Sequence, residues 1–337
     1  MTSLWNAAGP DLVVHGENLD AMRRLPDGAF QVIYLDPPFN TGKQQRRQSV
    51  KVKRQSPVEE SVEAAELGEA LAHDEAPAGL RDPDAPASTP LTRTGFQGLS
   101  YEHTLGELSA FNDEFADYWG FLEPRLVEAW RLLDQTGTLY LHLDYRESHY
   151  AKVVLDALVG RDKFLNEIIW AYDYGARTSK RWPAKHDTIL VYVKDPKRYH
   201  FDAAEVDREP YMAPGLVTEE KRERGKLPTD VWWHTIVSPT GKERTGYATQ
   251  KPAGLLRRMI RASSREGDWV ADFFGGSGTT AAVARETGRR FVTVDASVDA
   301  LRTMRKRLGP EGVEYRKLTK DGTRLLSAAP KRARLSR

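Results

Sequence analysis

The chain of 337 residues contains no cysteine. This excludes a disulfide scaffold and any thiolate metal site, and it fits a reducing compartment, so a cytoplasmic protein is expected. No apolar run reaches the roughly 18 residues of a membrane-spanning helix. Met1 to Gly16 has no basic start followed by an apolar core, so no signal peptide and no membrane partner are expected. An excess of one charge is missing too. Fifty Lys and Arg against 48 Asp and Glu leave a net charge of +2, so bulk charge does not announce a nucleic-acid ligand. Charge is concentrated locally instead. Lys43 to Arg54 carries six basic residues and no acid, and Arg316 to Arg337 carries eight against one acid.

The densest chemistry is Asp36-Pro37-Pro38-Phe39, at the end of the apolar run Gln31 to Leu35. Prolines lack N–H groups, so neither Pro37 nor Pro38 can extend a strand ladder, and their fixed φ holds the backbone rigid. What remains is a set of acceptors, the Asp36 carboxylate and nearby carbonyls, beside the flat face of Phe39. Such a set suits a planar substrate with an exocyclic NH2 group. By itself the motif reads equally well as a strand followed by a proline-rich turn.

A second motif, Asp272-Phe273-Phe274-Gly275-Gly276-Ser277-Gly278-Thr279-Thr280, follows Trp269-Val270-Ala271 and precedes the helix formers Ala281 to Glu286. It predicts strand, glycine-rich turn and helix, with backbone open to close ligand approach and a positive helix N-terminus facing an anionic group. The next apolar strand, Phe291 to Val294, ends in Asp295, 20 residues after Gly275. In nucleotide-binding α/β sheets a strand-end acid at this spacing meets ribose hydroxyls.

Together these residues resemble the amino-methyltransferases that methylate exocyclic nitrogens of DNA bases with S-adenosylmethionine. The family signatures are Asp-Pro-Pro-(Tyr/Phe) and Phe-x-Gly-x-Gly, here Phe274 to Gly278, and the order resembles the circularly permuted beta group. Leu141-His-Leu-Asp144, Asn166-Glu-Ile-Ile-Trp170 and Thr249-Gln-Lys-Pro252 look like further family segments. The resemblance covers roughly residues 11–42 and 99–310. It implies a Rossmann-like α/β fold with a mostly parallel seven-stranded sheet, double-stranded DNA as partner and no metal. It implies that Asp36 and the Pro37 carbonyl accept the two amino hydrogens, with Pro38 stiffening the edge and Phe39 stacking on the base. For the cofactor it implies that Phe274, Gly275, Gly276, Ser277, Gly278 and Thr279 surround the methionyl part, Asp272 takes its ammonium, Lys251 its carboxylate and Asp295 the ribose. In the family Ser-Pro-Pro accompanies cytosine and Asp-Pro-Pro adenine, so N6 of adenine is expected, with N4 of cytosine as the alternative. A binding protein without turnover, and methylation of RNA or a protein glutamine, are more distant readings. A homodimer and a cognate restriction endonuclease are compatible with the resemblance.

The expected organisation follows. Residues 1–42 and 99–172 form the catalytic part, 173–247 the target recognition region, 248–311 the cofactor part and 312–337 a basic tail. Residues 43–98, rich in Glu, Ala, Asp and Pro, are expected to be a disordered insertion with at most a short helix near Val62–Leu71. Strands are expected at Leu12–His15, Val32–Leu35, 137–143, 166–172, Thr188–Val193, Trp269–Ala271 and Phe291–Val294. Helices are expected at Leu19–Leu25, Phe111–Leu133 and 148–159. Glu17 or Asn18 would contact the cofactor's adenine, or Asn18 would cap the first helix. Asp144 stands at a strand edge where it could shape the pocket. Arg177, Lys180, Arg181, Lys185 and the 221–224 run would bind phosphates or guanine edges. Of Trp232 and Trp233, at least one is expected in the core.

Overall fold

The computed structural model describes residues 4–39, 43–54, 91–94, 100–113, 117–173, 177–238 and 240–326. Along the chain run β1 (Asp11–His15), α1 (Asn18–Met22), β2 (Phe30–Leu35), β3 (Lys43–Arg54), β4 (Leu91–Thr94), β5 (Ser100–Asp113), α2 (Tyr118–Leu132), β6 (Leu133–Leu143) and α3 (Ser148–Val159). They are followed by β7 (Phe164–Ala171), β8 (His186–Val193), α4 (Glu219–Arg224), β9 (Val231–Trp233), α5 (Ala253–Ser263), β10 (Trp269–Asp272), α6 (Thr279–Glu286), β11 (Arg290–Asp295), α7 (Val298–Leu308), β12 (Val313–Thr319) and β13 (Gly322–Leu325).

The chain divides into two compact units, Met1–Gln44 with Asn112–Arg337, and Gln45–Phe111. The first is built on a ten-stranded sheet in the order β13-β12-β1-β11-β10-β2-β6-β8-β7-β9. Its centre, β1-β11-β10-β2-β6, is parallel throughout, and β8 runs antiparallel to both β6 and β7. Central strands buried on both faces explain why β2 reads as Phe-Gln-Val-Ile-Tyr-Leu with every residue buried. Helices cover both faces. Leu122, Leu126 and Ala129 of α2 seal one apolar layer with Phe30, Ile33 and Leu35. Leu255, Met259 and Ile260 of α5 seal the other with Val32 and Val270. From Val32 onward the alternation along β2 sends Ile33 and Leu35 to the first layer and Val32 and Tyr34 to the second, while Phe30, across a register irregularity from Val32, joins the first.

The sheet contains the seven expected strands and three more. β9 adds parallel to β7 at one edge. At the other, β12 adds parallel to β1 and β13 turns back against it. The expected tail from residue 312 is therefore corrected: its first part is a hairpin whose Tyr315 is buried in the core. The signal was present, a Val313-x-Tyr315 alternation and a Lys320-Asp321-Gly322 turn, but interleaved charges masked it. Residues 327–337 lie outside the described residues.

The second unit carries a three-stranded sheet in the order β3-β5-β4. Strands at 43–54 and 91–94 correct the expectation of a wholly disordered insertion over 43–98. Period-two runs such as Ser49-Val-Lys-Val-Lys53 are strand patterns that the basic composition obscured. Residues 55–90, with the helix expected near Val62–Leu71, lie outside the described residues. The long helix also starts later than expected. β5 extends to Asp113, and α2 begins at Tyr118 with Asp117 accepting the Gly120 N–H at 2.8 Å.

Candidate active site

Sheet register brings the two motifs together. β2 and β10 are parallel neighbours with Tyr34 opposite Asp272, so Asp36 lies two residues past the partner of Asp272 at the same edge. Neighbouring strands are about 4.8 Å apart, which makes one crevice of the two strand ends.

Asp36 does not stand alone there. Lys251 Nζ donates to both of its carboxylate oxygens at 2.6 Å, and the two side chains are only 11% and 15% exposed. The same ammonium lies 4.8 Å from the Phe39 ring centroid. Lys251 comes from the segment before α5, which Gln250 fixes by accepting from Thr245 N and Oγ1 and donating to the Glu243 carbonyl. The lysine expected at the cofactor's carboxylate is thus found on Asp36, 215 residues away in sequence.

Behind the edge lies a buried polar chain that sequence reading missed. Tyr34 OH and His142 Nδ1 share a hydrogen bond of 2.7 Å, His142 Nε2 and Asp187 Oδ2 one of 3.1 Å, and Tyr172 OH donates to Asp187 Oδ1 at 3.0 Å. Burial pushes the Tyr34 hydroxyl well above its ordinary value, with Asp36 and Asp272 adding to the shift, so it stays protonated. Burial works against the Asp187 carboxylate, but hydrogen bonds and charge from His142, with help from Lys251 and Tyr172, hold it below the usual range. The His142 ring lies 5.8 Å from that of Phe39, so the chain backs the aromatic platform. The sequence signals were a histidine inside the apolar run Leu139 to Leu143 and the family-like segment Leu141-His-Leu-Asp144 that carries it.

The glycine loop is held by packing as well as by turn geometry. Gly276 and Gly278 have φ of +48° and +71°. A Cβ on Gly275 would lie 2.2 Å from Thr293 Oγ1, and one on Gly278 2.8 Å from Met304 Cγ. These glycines serve close contact with β11 and α7 before any ligand arrives. Asp295 accepts from Gly276 N at 2.8 Å and Ser297 N at 2.7 Å, tying the loop to the end of β11. Phe274 N donates to Asp272 Oδ1 at 2.9 Å. Ser277 and Thr279 hydroxyls lie 2.9 Å apart, and Arg307 donates to Thr279 Oγ1 at 2.9 Å.

Asp272 is buried, and its carboxyl is pushed up to about 7. Burial dominates over hydrogen bonds from Thr280 and Phe274, and the charges of Asp36 and Asp295 push the same way. A buried acid with no ion-pair partner among the described residues, at a glycine loop whose helix α6 has no side-chain cap, fits a ligand with both an ammonium and a carboxylate. The site therefore suits the methionyl end of S-adenosylmethionine.

Glu17, Asn18 and Asp144 each have defined partners. Glu17, not Asn18, caps α1 by accepting from Asp20 N at 3.1 Å. Asn18 is buried, accepts from Arg125 Nε at 2.7 Å and donates to the Phe273 carbonyl at 2.7 Å, so it braces the end of β10 against α2. Asp144 accepts from Arg146 N at 2.9 Å and pairs with the Arg146 guanidinium, closing its own turn. In 177–247, Trp232 is buried while Trp233 and Trp182 are 76% and 96% exposed. Lys185 is 3.5 Å from Asp173 and Arg222 is 2.5 Å from Glu219.

A mostly parallel α/β sheet with these two motifs at one edge defines an S-adenosylmethionine-dependent methyltransferase. The family model for DNA methylases matches residues 30–306, and the chain belongs to that family. It is 33% identical over 307 residues to the type II methyltransferase M.ScaI of Streptomyces caespitosus, covering 86% of this chain and 78% of that one. With the DNA adenine methyltransferase YhdJ of Escherichia coli (strain K12) it shares 26% over 336 residues, covering 96% and 92%. With the type II methyltransferase M.HpaI of Haemophilus parainfluenzae it shares 32% over 202 residues, 59% of this chain and 62% of that one. Among solved structures, the fold is similar to the M1.HpyAVI–SAM complex (TM-score 0.51, 16% identity, 89% of this chain and 99% of that one). It is also similar to the cytosine-N4-specific PvuII DNA methyltransferase (TM-score 0.53, 12% identity, 90% and 88%). The family's cofactor is S-adenosylmethionine.

Proposed function

We propose that this chain transfers a methyl group from S-adenosylmethionine to N6 of a flipped adenine in duplex DNA, at one short sequence motif. The observation that carries the reading is the register of β2 against β10, with the Asp36 acceptor edge and the Asp272 glycine loop at the ends of adjacent strands. Asp-Pro-Pro rather than Ser-Pro-Pro, and the similarity to an adenine enzyme over nearly the whole chain, favour adenine. The type II relatives support a site-specific enzyme of a restriction–modification system.

When bound, the cofactor supplies an electrophilic methyl on a sulfonium leaving group. Asp272 binds its ammonium, the first turn of α6 its carboxylate, and Asp295 the ribose, using lone pairs left after Gly276 and Ser297. The amino lone pair of adenine is delocalised into the ring and is a poor nucleophile. Asp36 and the Pro37 carbonyl accept the two N–H bonds and favour a pyramidal nitrogen. Pro38 holds this edge rigid, and Phe39 stacks on the base, a contact worth roughly 1–3 kcal/mol. Extrusion of the base costs a few kcal/mol. Alignment and charge complementarity supply most of the acceleration. Residues 173–247 supply target recognition in this reading, where the exposed Trp182 stands beside Lys180 and Arg181 and Trp233 is also free to stack.

Mass spectrometry of nucleosides from methylated duplex DNA tests the assignment. N6-methyladenine is expected. N4-methylcytosine alone would establish the cytosine alternative, and no methylated base would remove the activity.

A further inference from the structure

We infer that Lys251 reads the target base, donating a hydrogen bond to its ring nitrogen while holding Asp36, so that the pair recognises a donor–acceptor edge. The inference rests on the methyl-transfer reading above and deepens it. A lysine ammonium has three N–H donors and no acceptor. Two donors are directed at Asp36 Oδ1 and Oδ2 at 2.6 Å, and the ammonium makes no other hydrogen bond among the described residues. One donor is left, beside the acid that faces the exocyclic amine and 4.8 Å from the centre of the ring that would carry the base.

A flipped base is read through hydrogen bonds to its Watson–Crick edge. Adenine presents an N6–H donor next to the N1 acceptor, and cytosine an N4–H donor next to the N3 acceptor. Asp36 takes the donor in either case and Lys251 meets the acceptor. Guanine and thymine present O6 or O4 next to a ring N–H, which sets oxygen against carboxylate and N–H against ammonium. The Asp36–Lys251 pair thus admits the two amino bases and rejects the two oxo bases. It leaves the choice between adenine and cytosine to the rest of the pocket. Charge points the same way. A carboxylate already matched by a lysine suits a neutral base better than a second cation, and the carboxylate lone pairs beyond the two lysine contacts remain available to the amine.

The test uses the full chain and duplex oligonucleotides carrying its methylation motif, with the target adenine intact or replaced by 1-deazaadenine. If the product is N4-methylcytosine, the replacement is 3-deazacytosine. Each analogue keeps the amino group and removes the ring acceptor. Wild-type protein is expected to lose about 10- to 100-fold in kcat/KM on the deaza substrate, the range set by one charge-assisted hydrogen bond. Lys251→Met is expected to be slowed on the natural base and to show less than about twofold further loss on the deaza base. Its cofactor Kd by calorimetry should stay within about threefold. Lys251→Arg keeps the charge beside Asp36 and serves if the Met variant does not fold, with deaza discrimination reduced because a planar guanidinium cannot reproduce the ammonium geometry. Undiminished deaza discrimination in the variants, or none in wild type, overturns the inference. So does a tenfold or larger loss of cofactor affinity in Lys251→Met with base discrimination intact, which would return Lys251 to the methionine carboxylate. Failure of wild type to methylate any DNA base sinks the underlying reading instead.

Discussion

Asp36 and Asp272 end neighbouring strands of one sheet, yet the protein treats them in opposite ways. Asp36 has its charge matched within the protein by both contacts to Lys251. Asp272 is buried beneath hydrogen bonds from neutral groups, and its carboxyl is pushed up to about 7 chiefly by burial. Among the described residues no Lys, Arg or His forms an ion pair with it. An acid neutralised in advance is suited to accept hydrogen bonds from a neutral base. An acid left without a cation is suited to a ligand that brings one. In the proposed reading the two motifs differ in chemistry because a neutral base and a cationic ammonium are their partners.

The largest expected effect breaks one half of this comparison. Asp36→Ala should lower the rate of methyl transfer by at least about 10²-fold, the scale for one preorganised polar group at a reacting centre. Cofactor affinity should stay within a few-fold, because none of the groups at the glycine loop is removed. Labelled-methyl transfer and calorimetry measure the two quantities separately. Equal losses in both would show that the acids do not divide the work.

Asp272→Asn addresses the other half. Loss of a charge-assisted bond to the ammonium should weaken cofactor binding about 10- to 100-fold at pH 8. The wild-type dependence on pH has a defined sign. With its carboxyl raised to about 7, Asp272 is ionised above that pH and protonated below it. Affinity should therefore fall about tenfold from pH 8 to pH 6 relative to Asp272→Asn, in which the cofactor's own amine titrates equally. A raised carboxyl also disfavours the ligand-free fold as pH rises through the interval between its unfolded value and about 7. At pH 8 the ligand-free Asn variant should melt above wild type. Parallel affinity profiles for the two proteins would mean that Asp272 does not meet the ammonium.

How legible each half was in the sequence follows from the range of its contacts. β2 and β10 could be read from apolar runs, and the two motifs from local residue order, because strand, turn and helix signals act over a few residues. The Lys251 contact could not, since it depends on a loop fixed by Gln250 and Thr245 and on strand order in the folded sheet. His142 was hidden for the same reason, its partners being 108 and 45 residues away. The edge strands failed differently. β12 is partly solvated, with Glu314, Arg316 and Lys317 interrupting Val313 and Tyr315, so its charge spoke louder than its alternation. β9 is three residues long and draws its identity from pairing with β7.

The smallest effects sharpen how each half stays rigid. The Asp36 edge relies on prolines, which restrict the unfolded chain as much as the folded one. Pro38 is only partly buried. Pro38→Ala should therefore cost about 0.4–1 kcal/mol of stability, mainly through entropy gained by the unfolded state. The glycine loop relies on close contact. Gly278→Ala sets a methyl 2.8 Å from Met304 Cγ at φ +71°, and overpacking of this kind costs about 1–3 kcal/mol before the left-handed backbone adds its own penalty. Denaturant midpoints of the two variants should thus separate, with the alanine at 278 clearly the worse. The two should also part in function. Alanine at 278 must shift α7 or the loop and so weaken cofactor binding, whereas alanine at 38 should slow methyl transfer with cofactor affinity preserved. If Pro38→Ala destabilises as much as Gly278→Ala, the Asp36 edge is held by packing after all. The contrast between a pre-stiffened edge and a close-packed loop would then fall.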